Sequence, residues 1–170
     1  MAVLGGQACP TLSARTVLAV REGVLSTFRT YAVQCAGQHS FRADLAVAVN
    51  PVRMPKLRQA IIDGSLHRVT CPYCGRTFTV EKPFVYTDLK RGLVVQVRPP
   101  GHAYRWREAS AELDAGLDAL DAHGVLKPRL RRRVAFGIGE LREKLVAEDA
   151  RMDDRHIELA KVLALHEQSM

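Results

Sequence analysis

The chain has 170 residues, 47% of them hydrophobic and 25% charged, the balance of a globular protein long enough to bury a core without staples. No apolar run approaches the ~18 residues of a membrane span, and the first residues lack the basic and apolar segments of a secretory leader, so a cytoplasmic protein is expected. The net charge of +7 is uneven: residues 1–81 carry nine Lys/Arg against four Asp/Glu, residues 82–133 eleven against six, and residues 134–170 five against eight. A basic body with an acidic tail points to an anionic partner or to a tail that pairs with the body.

Residues 1–13 read as irregular, and Cys9 as a small apolar filler. Thr16 to Arg21 has strand composition, and Thr27 to Gln34 is again β-rich. Phe41 to Val49 alternates, with Phe41, Ala43, Leu45, Val47 and Val49 on one face and Arg42 and Asp44 on the other. These last two runs flank Cys35, which places that cysteine at a hairpin tip. Asn50-Pro51 breaks the strand, and Pro55 opens a helix that Asp63-Gly64 closes. Leu66 to Thr70 and Arg76 to Val80 form a second hairpin around Cys71-Pro72-Tyr73-Cys74-Gly75. Further strands are expected at Phe84-Val85-Tyr86 and Leu93 to Val97, ending at Pro99-Pro100-Gly101.

From Trp106 the apolar period becomes helical, through Ala109, Leu113, Leu117 and Leu120. Leu130 to Phe136 is a strand in which Arg132 shares a face with Leu130 and Val134, while Arg129, Arg131 and Arg133 share the other. A helix over Glu140–Ala147 follows. Asp153 or Asp154 caps a last helix that offers Ile157, Leu159, Ala160, Leu163 and Ala164 for packing. The expected fold class is therefore α+β: a mostly antiparallel sheet with two knuckle-tipped, zinc-ribbon-like hairpins and a helical C-terminal half.

Cys71-Pro72-Tyr73-Cys74-Gly75 is a metal knuckle by its chemistry. A two-residue spacer lets both thiolates face one ion, and the glycine permits the tight turn. A structural zinc needs four closed ligands, so a partner is required. Around Cys35 the chain reads Cys35-Ala36-Gly37-Gln38-His39, with Gln38 where a second cysteine would stand.

The residues resemble the CpXC-domain proteins, a family named for two Cys-Pro-x-Cys motifs. The likeness is carried by Cys35 with Phe41, by Asn50 through Pro55-Lys56-Leu57 to Gly64, by Cys71–Gly75 with Phe78, and by Phe84-Val85-Tyr86-Thr87-Asp88. It continues in Arg133-Val134, Glu140–Leu145 and Met152–Leu159 with Lys161, a tail whose order and spacing are the most specific part. The resemblance implies a zinc-binding module. It also divides the chain into an N-terminal extension with a strand (1–27), a CpXC-like zinc-ribbon-like β domain (28–100) and a helical part on the same core (101–170). The first motif departs from the pattern, with Ala36 for the proline and Gln38 for the second cysteine.

Two readings of the cysteines stand side by side. In one, Cys35, His39, Cys71 and Cys74 hold structural zinc, since three thiolates and an imidazole make a closed tetrahedral set and a neutral amide such as Gln38 is a poor ligand. In the other, the site has decayed, leaving a tight turn, a buried thiol and a surface histidine. Redox chemistry is disfavoured, because a thioredoxin-type Cys-x-x-Cys belongs at a strand-to-helix junction and Thr77 to Val80 continues as strand.

Arg105, Arg107, Arg129, Arg131 and Arg133 are candidates for phosphate contacts, with Tyr104 and Trp106 able to stack on bases. The alternatives are ion pairs with the acidic tail and a core role for Trp106. No nucleophile–base order, phosphate loop or paired carboxylates stand out, so the expected function is a non-catalytic protein-interaction or assembly module. Its partner would be another protein or a second copy, and a nucleic-acid-associated zinc-ribbon-like protein is the alternative.

Overall fold

The computed structural model describes residues 26–122 and 130–167. Their order is β1 (Thr27–Gln34), β2 (Ser40–Val49), α1 (Pro55–Ile62), β3 (Arg68–Thr70), β4 (Thr77–Thr79), β5 (Phe84–Asp88) and β6 (Leu93–Arg98). A 3-10 turn (Pro100–Arg105), α2 (Trp106–Ala122), β7 (Arg131–Phe136), α3 (Ile138–Asp149) and α4 (Asp154–Glu167) follow. The strand expected at Thr16–Arg21, the Cys9 assignment and Arg129 lie outside the described residues.

The fold is α+β, with a five-stranded sheet in the order β1-β2-β5-β6-β7 and a separate β3-β4 hairpin. The main sheet is mixed: β1–β2 and β5–β6 are antiparallel, whereas β2–β5 and β6–β7 are parallel. Each parallel step has a crossover connection, as parallel pairing demands. α1 and the β3–β4 hairpin fill the first, and the 3-10 turn and α2 fill the second.

Strand periodicity then assigns two cores. Phe84, Tyr86, Leu93, Val95, Val97 and Ala135 face Ile61 of α1 and Ile138, Leu141 and Leu145 of α3. Val85 and Val94 face the other way, onto Leu113 and Leu117 of α2. Strands covered on both faces read as unbroken apolar runs, and β5 and β6 are buried at every residue. On the first face, Tyr86 and Asp88 are two residues apart and point to the same layer. Asp88 accepts from the backbone and guanidinium of Arg91 at 3.1 and 3.0 Å, and Arg58 of α1 pairs with Asp149 of α3 at 2.7 Å. Arg91 also reaches Asp149 at 3.3 Å and Tyr86 hydrogen-bonds Arg58, so Tyr86 and Asp88 tie the sheet to α1 and α3. Burial, then the Asp88 charge, pushes the Tyr86 hydroxyl far up.

β2 pairs with β5 only at Ala48–Val85 and Val49–Tyr86, so Ser40 to Val47 project past the start of β5. This projecting end of the β1–β2 hairpin meets the β3–β4 hairpin. Phe41 and Phe78 touch edge to face at 6.2 Å, and Lys82 lies 5.5 Å over Tyr31.

At the C-terminal end, α3 closes with Arg151 N–H donating to Glu148 at 3.1 Å and Met152 N–H to Ala147 at 2.8 Å. This cap puts its penultimate residue in the left-handed region, normally glycine's place, yet Arg151 occupies it at φ 57°. A non-glycine residue there costs about 1 kcal/mol. Asp153 caps α4 by accepting from the Arg155 N–H at 3.0 Å, and Lys161 pairs with Glu143 to tie α4 to α3. Ile157 is half-buried, but Leu159, Val162 and Leu163 are exposed.

Candidate metal centre

Each hairpin delivers two donor groups to one place. In the first, Cys35 follows β1 directly. Its N–H donates to the His39 carbonyl at 3.1 Å, and the Gln38 N–H donates to the Cys35 carbonyl at 2.8 Å. Gln38 adopts φ 62°, and this left-handed residue turns the chain so that His39 comes back beside Cys35. The His39 Nδ1 lies 3.5 Å from the Cys35 Sγ. Gly37 leaves the room this needs: a Cβ there would meet His39 Nδ1 at 3.3 Å and Cys35 Sγ at 3.5 Å. In the second hairpin, the Cys71 N–H donates to Arg76 at 2.8 Å and the Gly75 N–H to Cys71 at 2.9 Å, with Gly75 at φ 69°.

The four donor atoms, from Cys35, His39, Cys71 and Cys74, lie within 4.8 Å of one another. Cys35 Sγ is 3.8 Å from Cys74 Sγ, and Cys71 Sγ is 3.8 Å from His39 Nδ1. A tetrahedral ion with bonds of about 2.3 Å to sulfur and about 2.0 Å to nitrogen has S–S edges near ~3.8 Å and S–N edges near ~3.5 Å. The Cys35–His39 and Cys35–Cys74 separations equal those edges, the Cys71–His39 separation is 0.3 Å longer, and all four donors lie close enough to hold one ion. Cys35 and Cys71 are buried, while His39 and Cys74 sit toward solvent. Tyr73, in the Cys-x-x-Cys spacer, covers His39 with ring centroids 5.6 Å apart and is itself 68% exposed.

The thiols are electrostatically unequal. Burial works to raise Cys35, but hydrogen bonds to the His39 backbone, the Cys71 thiol, the Gly37 backbone and the His39 ring outweigh it and bring its pKa to about 6. For Cys74 a backbone hydrogen bond at Arg76 acts downward, yet burial and the Cys71 and Cys35 sulfurs leave it raised. One thiolate forms readily and opposes the next, and a bound cation relieves that opposition.

The candidate phosphate contacts are placed differently. Arg131 pairs with Glu148 of α3 at 2.6 Å, while Arg132, on the opposite face, reaches Asp114 and Asp118 of α2 at 3.2 and 2.6 Å. Arg105 bonds Glu108 at 2.6 Å, and Arg107 lies 4.9 Å over the Trp106 ring. Arg131 and Arg133 belong to the α3 side of the sheet, Arg105 and Arg107 to the start of α2 on the other side. The structure does not gather them on one surface. Trp106 is 54% exposed rather than part of a core.

Sequence reasoning passed over His67. It is buried at φ 60°, with Nε2 3.1 Å from the Ala46 carbonyl and its ring edge-to-face on Phe84 at 5.2 Å. The Val80 N–H donates to the His67 carbonyl at 3.0 Å, so His67 pins both ends of the β3–β4 hairpin to β2. No periodic signal marks it, because it precedes a three-residue strand. Glu81, just beyond the β3–β4 hairpin, hydrogen-bonds the Ile138 backbone at the start of α3. Burial raises its carboxyl against that bond.

Two converging β-ribbons with a Cys/His cluster at their tips define a candidate metal-binding module. A family model, CpXC protein, matches residues 33–161, and the chain belongs to the CpXC family. No curated protein and no solved structure matches it. Among the described residues no helix is long and apolar enough to cross a membrane.

Proposed function

We propose that the protein is a non-catalytic interaction or assembly module built on a structural zinc. The observation that carries this reading is the meeting of three sulfurs and one imidazole nitrogen within 4.8 Å of one another, from two hairpins distant in sequence. All four positions are filled by protein, whereas a catalytic zinc keeps one open for water or substrate. Zinc suits three thiolates and an imidazole better than calcium or magnesium, which take oxygen ligands. The ion would join Cys35 and His39 to Cys71 and Cys74 and so fix one hairpin tip against the other. The surface held in place includes the exposed Tyr73, a residue type enriched at protein interfaces. The partner is another protein, a second copy of this chain included. Ion pairing of Arg105, Arg131 and Arg132 with carboxylates weighs against the nucleic-acid reading.

The test is metal content of protein purified without added zinc. One zinc per chain, lost in Cys71→Ser with affinity down more than about 100-fold, is the expected result, since even supporting residues of metal sites change affinity by about 10–100-fold. Absence of metal together with unchanged folding of Cys71→Ser would remove the reading. Retention of full affinity in His39→Ala would remove only the fourth ligand. For the partner role, association that persists at high salt is expected, and affinity for single-stranded nucleic acid that falls steeply with salt would favour the alternative.

A further inference from the structure

The three sulfurs of the Cys/His cluster differ in access. Cys35 and Cys71 are buried, whereas Cys74, at the outer corner of the second knuckle, is exposed. The Cys74 Sγ lies 3.8 Å from the Cys35 Sγ, across the gap between the two hairpins. A disulfide needs that separation to close to about 2.05 Å, a movement within reach of side-chain rotation at a cysteine with solvent on one side.

Little else fixes the two tips against each other. Phe41 meets Phe78 across them at 6.2 Å, and β3 pairs with β4 only over Arg68–Thr70 and Thr77–Thr79. A bond from Cys35 to Cys74 spans the same gap as the proposed ion and joins the same hairpins. It also removes two of the four donors. Cys71 and His39 remain, 3.8 Å apart, and two protein donors do not close a tetrahedral zinc site.

We propose that Cys35 and Cys74 are a reversible disulfide pair, formed by a peroxide-class oxidant, and that the bond expels the ion while keeping the hairpin tips joined. The expulsion rests on zinc as the occupant proposed above, and the bond itself does not. The Cys74 thiolate attacks one peroxide oxygen, the O–O bond breaks, and hydroxide leaves a sulfenic acid on Cys74. The Cys35 thiolate then attacks the Cys74 sulfur, the S–O bond breaks and a second hydroxide leaves. Two protons from solvent turn both hydroxides into water, and the two electrons lost by the sulfurs are those gained by the peroxide. This is a single stoichiometric event. Turnover of thioredoxin type would need a helix after Cys74, where Thr77–Thr79 is strand. Exposed disulfides are the labile kind, which a dithiol can reverse.

The test uses full-length protein of measured zinc content, with hydrogen peroxide as the probe. A chromophoric chelator reads released zinc, and trypsin digestion without reduction reads the bond. Cys35 falls in the peptide 30–42, and Cys71 and Cys74 share the peptide 69–76. The expected result is one zinc released per bond joining these peptides, with Cys74 assigned by fragmentation and with thiols and zinc binding restored by a dithiol. Amide protection in β3 and β4 should persist in oxidised zinc-free protein and be lost in reduced zinc-free protein. With chelator present, so that no variant holds metal, Cys71→Ser should cross-link about tenfold faster than Cys74→Ser, because accessible thiols oxidise first. A bond to Cys71 or Cys9, sulfinic acid without a cross-link, or equal rates in the two variants would overturn the pair. Zinc that stays bound after the bond forms would overturn the expulsion. Protein purified without zinc would count against the zinc reading alone, and the peptide map would still decide between Cys74 and its rivals as the partner of Cys35.

Discussion

The two ends of this molecule differ sharply in how much they bury. The five-stranded sheet lies between helix layers, with β5 and β6 buried throughout and Leu141, Val94 and Val95 sealed from solvent. The hairpin end has almost no such interior. β1 is largely exposed, β3 and β4 each half-bury one residue, and the apolar contact across the tips is Phe41 on Phe78. An isolated two-stranded hairpin is marginal in water. The difference teaches that the sheet stands on burial, whereas the knuckle end lacks that support and brings together donors that a metal could cross-link between segments distant in sequence.

Removing the proposed metal is the strongest way to break that contrast. Structural zinc contributes about 10–16 kcal/mol of apparent binding energy in small metal-folded peptides. Chelation should therefore abolish hydrogen-exchange protection in β3 and β4 while β5 and β6 stay protected. Simultaneous loss in both regions would mean that the ends are not separable. The reciprocal change is Leu141→Ala, which opens a cavity in the sheet core and should cost about 2–5 kcal/mol of global stability. Its zinc affinity, measured by competition with a chromophoric chelator, should be unaltered.

Smaller changes sharpen the picture. In Gly37→Ala the added Cβ would crowd His39 Nδ1 at 3.3 Å, so zinc affinity should fall by about 10-fold, the size expected when a ligand is displaced rather than deleted. The least effect belongs to His67. Burial lowers its pKa from 6.5, with the Ala46 and Val80 backbone opposing. The folded state therefore binds fewer protons than the unfolded one below that value, and stability falls as pH drops through 6.5 toward the depressed folded pKa. His67→Gln can keep a donor for Ala46 and should lose part of this acid sensitivity. Urea midpoints at pH 7.5 and 5.5 for both proteins give the comparison, and an identical acid shift would exclude His67 as its source.

Much of this was legible in the residues. The Cys-x-x-Cys-Gly turn, the alternation of Phe41–Val49 and the caps at Gly64 and Asp153 are local chemistry, and local chemistry is written where it acts. The match to the CpXC family across residues 33–161 bears out the resemblance read from spacing. His39 could be nominated as a ligand because the other donors were nearby in type, but its fitness depended on Gln38 turning left-handed and Gly37 lacking a side chain.

Among the described residues, the sequence by itself determined which segments are strands and helices, which residues carry donor chemistry, and that two turns hold it. Only the tertiary structure decided that the turns converge, that the sheet is mixed, and that Arg131 and Arg132 are matched to carboxylates on opposite layers. The physical reason is range. Periodicity and turn preference act over a few residues, whereas strand order, sulfur-to-sulfur distance and charge pairing depend on how segments dozens of residues apart are brought together by the packing of a shared sheet.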